Sequence, residues 1–363
     1  MALRRFVSLL VAASLVVLVV ACGQTSPVPG TPRDFEETAT LPRQMAKEEP
    51  VVYVYSSRHY GQVEAAFAEF TKETGIEVRF SFGKDAELRE RLKAEGEFTP
   101  ADVLFTVDAG NLWLAAEEGL LQPVESDVLA ENIPEQWRDP ENRWFAFSLR
   151  VRTIAYHPDR VVPSELSTYE ALADPKWEGR LCLRPSTKTY TQALVANLIH
   201  YYGYEKAREI VAGWARNAAE FIDSDARILK TIAAGGCDVG IVNHYYLARL
   251  VREDPHFPVK LFWANQEGEG LDGRGVHANV SGAGVTRHAR HVNNAVRLLE
   301  WLASEKGMKR FADGNYEFPV NPNLKPHEIV APWGAFKIDP IPVYLYGQLQ
   351  AEAIRLMDEA GYK

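Results

Sequence analysis

Cysteine is scarce, three residues in 363, and no CxxC pair is present, so thiol redox chemistry and cysteine-built zinc sites are excluded. The nine histidines form no HExxH motif. Beyond residue 21 no apolar run is long enough to cross a bilayer. Basic tracts interleaved with aromatics are also missing and the formal net charge is −9, which makes nucleic acid a poor partner. Ser281-Gly282-Ala283-Gly284 lacks the GKS or GKT ending of a phosphate-binding loop. Asp85, Asp102 and Asp108 are too scattered in sequence to be assigned as a paired-carboxylate catalyst, and no nucleophile, base and orienting group stand together. A secreted hydrolase or transferase is therefore the weaker reading, and the chain is expected not to be an enzyme.

What is present begins at the N-terminus. MALRRFVSLLVAASLVVLVVAC places Arg4 and Arg5 before an apolar run to Ala21, short of the roughly 20 residues of a membrane span, and then Cys22. Val19, Val20, Ala21 and Cys22 resemble a lipobox, so residues 1–21 are expected to be a lipoprotein signal peptide and Cys22 the acylated N-terminus. An ordinary signal peptide or an uncut anchor is the alternative. Residues 22–50, rich in Pro, Thr and Ser, read as a flexible tether that keeps the folded body near the outer face of a bacterial membrane, periplasmic or extracellular. Loss of Arg4 and Arg5 leaves 38 positive against 49 negative residues, a net charge of −11. With Cys22 committed to lipid, Cys182 and Cys237 remain, each at the start of a strand-like segment. In an oxidising compartment they are expected to form a disulfide; two buried thiols are the alternative.

The remaining length exceeds what one hydrophobic core usually serves, and 46% hydrophobic with 25% charged residues is ordinary for a folded chain. VVYVY at Val51–Tyr55, the helical spacing of Val63, Ala66, Phe67 and Phe70, a strand over Ile76–Phe80, a helix over Lys84–Ala94 and a buried strand over Ala101–Thr106 form a βαβαβ series. Such a series implies α/β architecture with a mainly parallel sheet. Later segments read as a strand at Gly179–Leu183, helices at Tyr190–Tyr201, Ala207–Ala219 and Asp225–Ala234, a strand at Cys237–Asn243, another at VHANVSGAGV, and helices at Asn293–Ala303 and Val343–Glu359.

Three strand-to-helix junctions are rich in hydroxyls and aromatics: Ser56-Ser57-Arg58-His59-Tyr60, Ser186-Thr187-Lys188-Thr189-Tyr190 and Asn243-His244-Tyr245-Tyr246. Parallel sheets present ligands at such ends. Tyr53 and Tyr55, inside a strand, read as packing residues, whereas the adjacent Tyr245 and Tyr246 are harder to explain by packing alone. Phenols ionise near pH 10 in water, so a cluster of them at neutral pH calls for a hard, highly charged cation such as Fe³⁺. Softer metals would draw thiolate or imidazole, and calcium several carboxylates.

The strings YSSRHY, ADVLFTVDAGNLW, RTIAYHPDR, STYEALADPKWEGRLCLRPS, AAGGCDVGIVNHYYLARL, LFWANQ and GVHANVSGAGVTRHA, in this order, resemble the ferric-iron-binding proteins of bacterial iron ABC importers. The resemblance implies the two-lobe, type II periplasmic-binding-protein fold, with the ligand in a cleft between lobes and crossover strands near residues 149 and 275. Lobe 1 is then expected over 51–149 and 276–326, lobe 2 over 150–275 and 327–363. It implies phenolate ligands at Tyr60, Tyr190, Tyr245 and Tyr246. His59 matches a histidine that ligates in some members and stands aside in others, where a carbonate or bicarbonate completes the shell. Arg152, Arg150 and Arg58 are the candidates for holding that anion or balancing phenolate charge, with Arg152 preferred for its match to the family's RT. Partners implied are the importer's permease and ATPase, served by a monomeric body. One departure is STKTYTQ around Tyr190, where members often carry Asn before Tyr; Lys188 is expected to face solvent and Gln192 to satisfy the loop. The alternative is a binding protein of the same fold for an anion, a thiamine-like compound or a polyamine.

Overall fold

The computed structural model describes residues 48–58 and 61–363. The expected signal peptide, Cys22, almost all of the expected tether, His59 and Tyr60 lie outside the described residues. Ten strands form one hydrogen-bonded sheet: β1 (Val51–Ser56), β2 (Glu77–Phe82), β3 (Val103–Thr106), β4 (Phe145–Tyr156), β5 (Leu181–Leu183), β6 (Ala218–Phe221), β7 (Val239–Asn243), β8 (Lys260–Phe262), β9 (Ala278–Val285) and β10 (Phe318–Pro319). The order is β2-β1-β3-β9-β4-β7-β5-β6, with β8 and β10 also on β4. The expected βαβαβ series is present, since β1 pairs in parallel with both β2 and β3. A mainly parallel sheet is not what forms, because every pair made by β4 and β9 is antiparallel.

β4 organises the molecule. All twelve of its residues are buried, its first half pairs with β9 and β10, and its second half, from Arg152 on, pairs with β7 and β8. One strand thus passes from one half of the sheet to the other, and Arg150 and Arg152 lie where it changes partners. Its sequence, FAFSLRVRTIAY, carries two arginines and so gives no apolar run, which is why composition alone does not announce a fully buried strand.

Gly282 and Gly284 lie inside β9 with the Phe145 and Arg143 carbonyls where a Cβ would have to go, 2.4 and 2.3 Å away. Their role is close strand approach rather than phosphate binding. The expected helices at Tyr190–Tyr201 and Ala207–Ala219 form as two segments of Thr189–Asn217 that meet at Gly203, whose φ of 72° breaks the helix. The second ends two residues early, because Ala218 and Ala219 enter β6. The C-terminal helix is likewise broken, into Tyr344–Gln348 and Gln350–Glu359. Among the described residues no helix is long and apolar enough to cross a membrane.

Cys182 and Cys237 are disulfide-bonded, with Cα atoms 6.0 Å apart, inside an apolar cluster that includes Ala155, Ile228, Ile232 and Val242. The bond joins β5 to the segment entering β7, the strand that delivers the tyrosine pair. Replacing both cysteines with alanine is expected to cost about 2–4 kcal/mol. Urea unfolding should show the loss as a lower midpoint, and adding reductant to the parent protein should reproduce it.

Candidate functional site

Tyr245 and Tyr246 sit in the first turn of the helix His244–Glu253, which starts immediately after β7. Asn243 ends the strand and bends the chain into the helix. Its side chain donates to the Tyr245 hydroxyl (3.0 Å) while its backbone N–H points at Asp225 (3.4 Å). The two phenol rings lie 4.6 Å apart, Tyr245 fully buried and Tyr246 partly exposed. Tyr190 occupies the first turn of another helix, after β5.

Arg150 unites these elements. Its guanidinium donates to the Tyr245 hydroxyl at 2.6 Å, to the Tyr190 hydroxyl at 2.9 Å and to the Val107 carbonyl at 3.0 Å. A single fork from β4 therefore gathers two phenol oxygens from two separate helix starts. The Tyr245 oxygen receives a second donor from Asn243, an arrangement suited to an oxyanion. Arg249 adds another guanidinium, 5.5 and 5.2 Å from the Tyr245 and Tyr246 ring centres.

The three arginines singled out from sequence take different places. Arg150 contacts the phenols directly. Arg152, the preferred one, turns to Asp225 (3.4 Å), the Asn243 side chain (3.1 Å) and the Ile241 carbonyl (2.8 Å), so it reaches Tyr245 only through Asn243. The physical reason is that β4 changes partners between them, Arg150 lying opposite β9 and Arg152 opposite β7. Arg58 is buried against Glu317 (2.7 Å), Ser281 (2.9 Å) and the Phe311 carbonyl (3.1 Å). Lys188, partly exposed, pairs with the exposed Asp223. Gln192 does hold the loop, donating to the Ser186 carbonyl at 3.0 Å.

Sequence reasoning missed Glu317, a fully buried carboxylate between Arg58 and Arg150. Burial by itself would raise its pKa. The charges of Arg58 and Arg150, with hydrogen bonds from Arg58 and Ser148, instead pull it down to about 2. No local motif marks it, since its partners come from 58, 148 and 150. Asp85, scattered in sequence, comes to the same region. Burial pushes it up to about 6, against a hydrogen bond from Ser57, with Asp108 and Arg150 close enough to act on it. Asp108 caps the helix Ala109–Glu117 and accepts from Asn279 at 2.7 Å, a structural role. His244 is buried, its ring nitrogens 3.1 and 2.8 Å from the Val151 and Tyr316 carbonyls, so it is turned away from ligation. Among the described residues no group of three or more His, Cys, Asp or Glu is gathered that could hold a metal ion. The convergent oxygens are phenolic.

A shared sheet with a strand crossing between two halves, and strand ends converging on a polar site, define a periplasmic-binding-protein fold of type II, two lobes about a cleft. The chain belongs to the family of bacterial extracellular solute-binding proteins, which it matches over residues 65–338. It is 40% identical to "Iron uptake protein A1" of Synechocystis sp. over 99% of this chain and 98% of that protein. A further relative, the "Fe(3+)-binding periplasmic protein" of Serratia marcescens, is 27% identical over 88% of this chain and 92% of its own. Among solved structures, the Trichodesmium protein IdiA (FutA) in complex with iron and citrate ligands superposes with a TM-score of 0.82 at 44% identity. The match covers 86% of this chain and all of that one.

Proposed function

We propose that this protein captures ferric iron outside the cytoplasmic membrane and hands it to an ABC importer. The observation that carries the reading is the Arg150 fork on the Tyr190 and Tyr245 oxygens beside Tyr246. Phenol oxygens are hard donors that become anionic against a strong cation, and a fixed guanidinium offsets the charge they acquire. Tyr190, Tyr245 and Tyr246 are the proposed ligands from this cluster. Tyr60 and His59, proposed from the resemblance, complete the set. Four phenolates on one Fe³⁺ leave a net charge of −1, which Arg150 and Arg249 are placed to balance. The iron-and-citrate complex of the Trichodesmium protein makes a carboxylate-bearing anion as reasonable a co-ligand as carbonate.

The lipid anchor on Cys22, a monomeric body and docking on a permease belong to the same reading. So do lobe boundaries near 149 and 275; the change of partners along β4 after Val151 supports the first of them. A solute-capture role, with no turnover, is the corollary.

The test is a visible absorption titration of purified apo-protein with ferric citrate at neutral pH. A phenolate-to-iron band that saturates at one equivalent is expected. No band with or without carbonate would move the assignment to another solute of the same fold class.

A further inference from the structure

Each of three consecutive residues, Asn315, Tyr316 and Glu317, holds a group that borders the tyrosine pair. Asn315 accepts from Arg249 and donates to Glu317 at 2.5 Å. The Tyr316 carbonyl faces His244 at 2.8 Å and its hydroxyl accepts from Arg252 at 2.7 Å. Glu317 takes Arg58 at 2.7 Å and Ser148 on one oxygen and lies 3.4 Å from Arg150 Nε on the other. Tyr316 has a φ of 58°, a left-handed conformation that bulky residues adopt only where their surroundings enforce it. The turn is thus built to a specific shape, and that shape delivers a carboxylate to the back of Arg150 while the front of the same guanidinium grips two phenols.

We propose that Glu317 is the positioning residue of the phenol cluster, its buried carboxylate fixing Arg150 so that the Tyr190 and Tyr245 oxygens are presented together to the incoming cation. The inference rests on the ferric reading given above. A guanidinium on a long side chain has considerable rotamer freedom. Glu317 attracts it as an ion pair from the Nε side, Val107 supports it at one terminal nitrogen, and the phenols occupy its remaining face. Glu317 is also paired with Arg58, so Arg150 keeps a positive charge to present to the phenols.

The experiment is a double-mutant cycle on the full mature chain with Glu317→Gln and Arg150→Met, read by the ferric–phenolate band and by the rate of iron loss to excess EDTA. A hydrogen bond donated to a phenolate stabilises its filled orbital and raises the transfer energy, so loss of the Arg150 contact moves the band to longer wavelength. Glu317→Gln is expected to shift the band that way and to speed iron loss on the order of tenfold, within the range typical of partners that orient metal ligands. In the Arg150→Met background the same substitution should add nothing, because Glu317 acts through Arg150. A folded Glu317→Gln protein with the parent band and rate overturns the proposal, as does an effect that persists undiminished without Arg150. Should Glu317→Gln alone fail to fold, leaving Arg58 buried and unpaired, Arg58→Met with Glu317→Gln removes both partners and is read against the same criteria. Absence of the band in the parent protein would overturn the ferric reading and this proposal with it, whereas a parent band that Glu317→Gln leaves unmoved overturns this proposal alone.

Discussion

Replacing Tyr245 and Tyr246 together with phenylalanine is expected to abolish the ferric–phenolate colour and to weaken ferric binding by more than about three orders of magnitude. The comparison is with the roughly 10–100-fold typical of groups that only orient a ligand. Both rings stay in place in the variant, so packing of the helix His244–Glu253 against β4 survives and only the oxygens are lost. Tyr245 loses an oxygen that accepts from Arg150 and Asn243, leaving those two donors to find other partners, so a modest fall in melting temperature is also expected. Ferric citrate titration of the variant, beside a melting curve to show it is folded, is the measurement. Retained colour at one equivalent would mean that the pair is packing and that the cation is held elsewhere.

Acid is expected to release iron before it unfolds the protein. Protons compete with Fe³⁺ for every phenolate, so apparent affinity should fall by about tenfold per pH unit for each proton taken up as pH drops from 8 to 5. Asp85, pushed up to about 6 by burial, gains its proton in the same window and removes a negative charge from the neighbourhood. The same protonation adds stability as pH falls below about 6, and two histidines oppose it. His244 and His277 are held neutral, burial lowering them from the usual 6.5 to about 4 and about 3, with Arg152 and Arg274 also acting on His277. Their unfolded forms bind protons first, so each withdraws about 1.4 kcal/mol per pH unit below pH 6.5, down to its own folded value. Glu317 acts the other way in range. Its folded pKa of about 2 lies below the unfolded carboxylate value, so its contribution is complete above about 4.5 and is lost only as pH falls towards 2. Iron affinity and melting temperature followed across pH 8 to 4 should therefore separate, affinity falling from the start and stability chiefly below 6.5. An affinity flat from pH 8 to 5 would exclude phenolate ligation.

Sequence by itself determined the classes of chemistry and the local structure. Scarce cysteine, the lack of metal-binding His spacing and the adjacent tyrosines after a strand narrowed the ligand to a hard cation, and the apolar periodicities of Gly61–Thr74 and Asp225–Ala234 were enough to place those helices. These properties are local, carried by neighbouring residues whose spacing follows the backbone period. The pairing of Cys182 with Cys237 was legible for a similar reason, two candidates being left once Cys22 was set aside.

Tertiary structure alone decided which arginine meets the phenols. Arg150 and Arg152 share strand and chemistry, and their two-residue spacing places them on one face of an ideal strand. β4 changes partners between them, so one meets Glu317 and the tyrosines and the other meets Asp225. The antiparallel centre of the sheet was likewise hidden, because strand direction depends on how long connections return rather than on any local pattern. Glu317 was invisible for the strongest version of that reason. An isolated glutamate with no motif around it reads as solvated surface until the partners at Arg58, Ser148 and Arg150, up to 259 residues away, close around it and make burial of its charge tolerable.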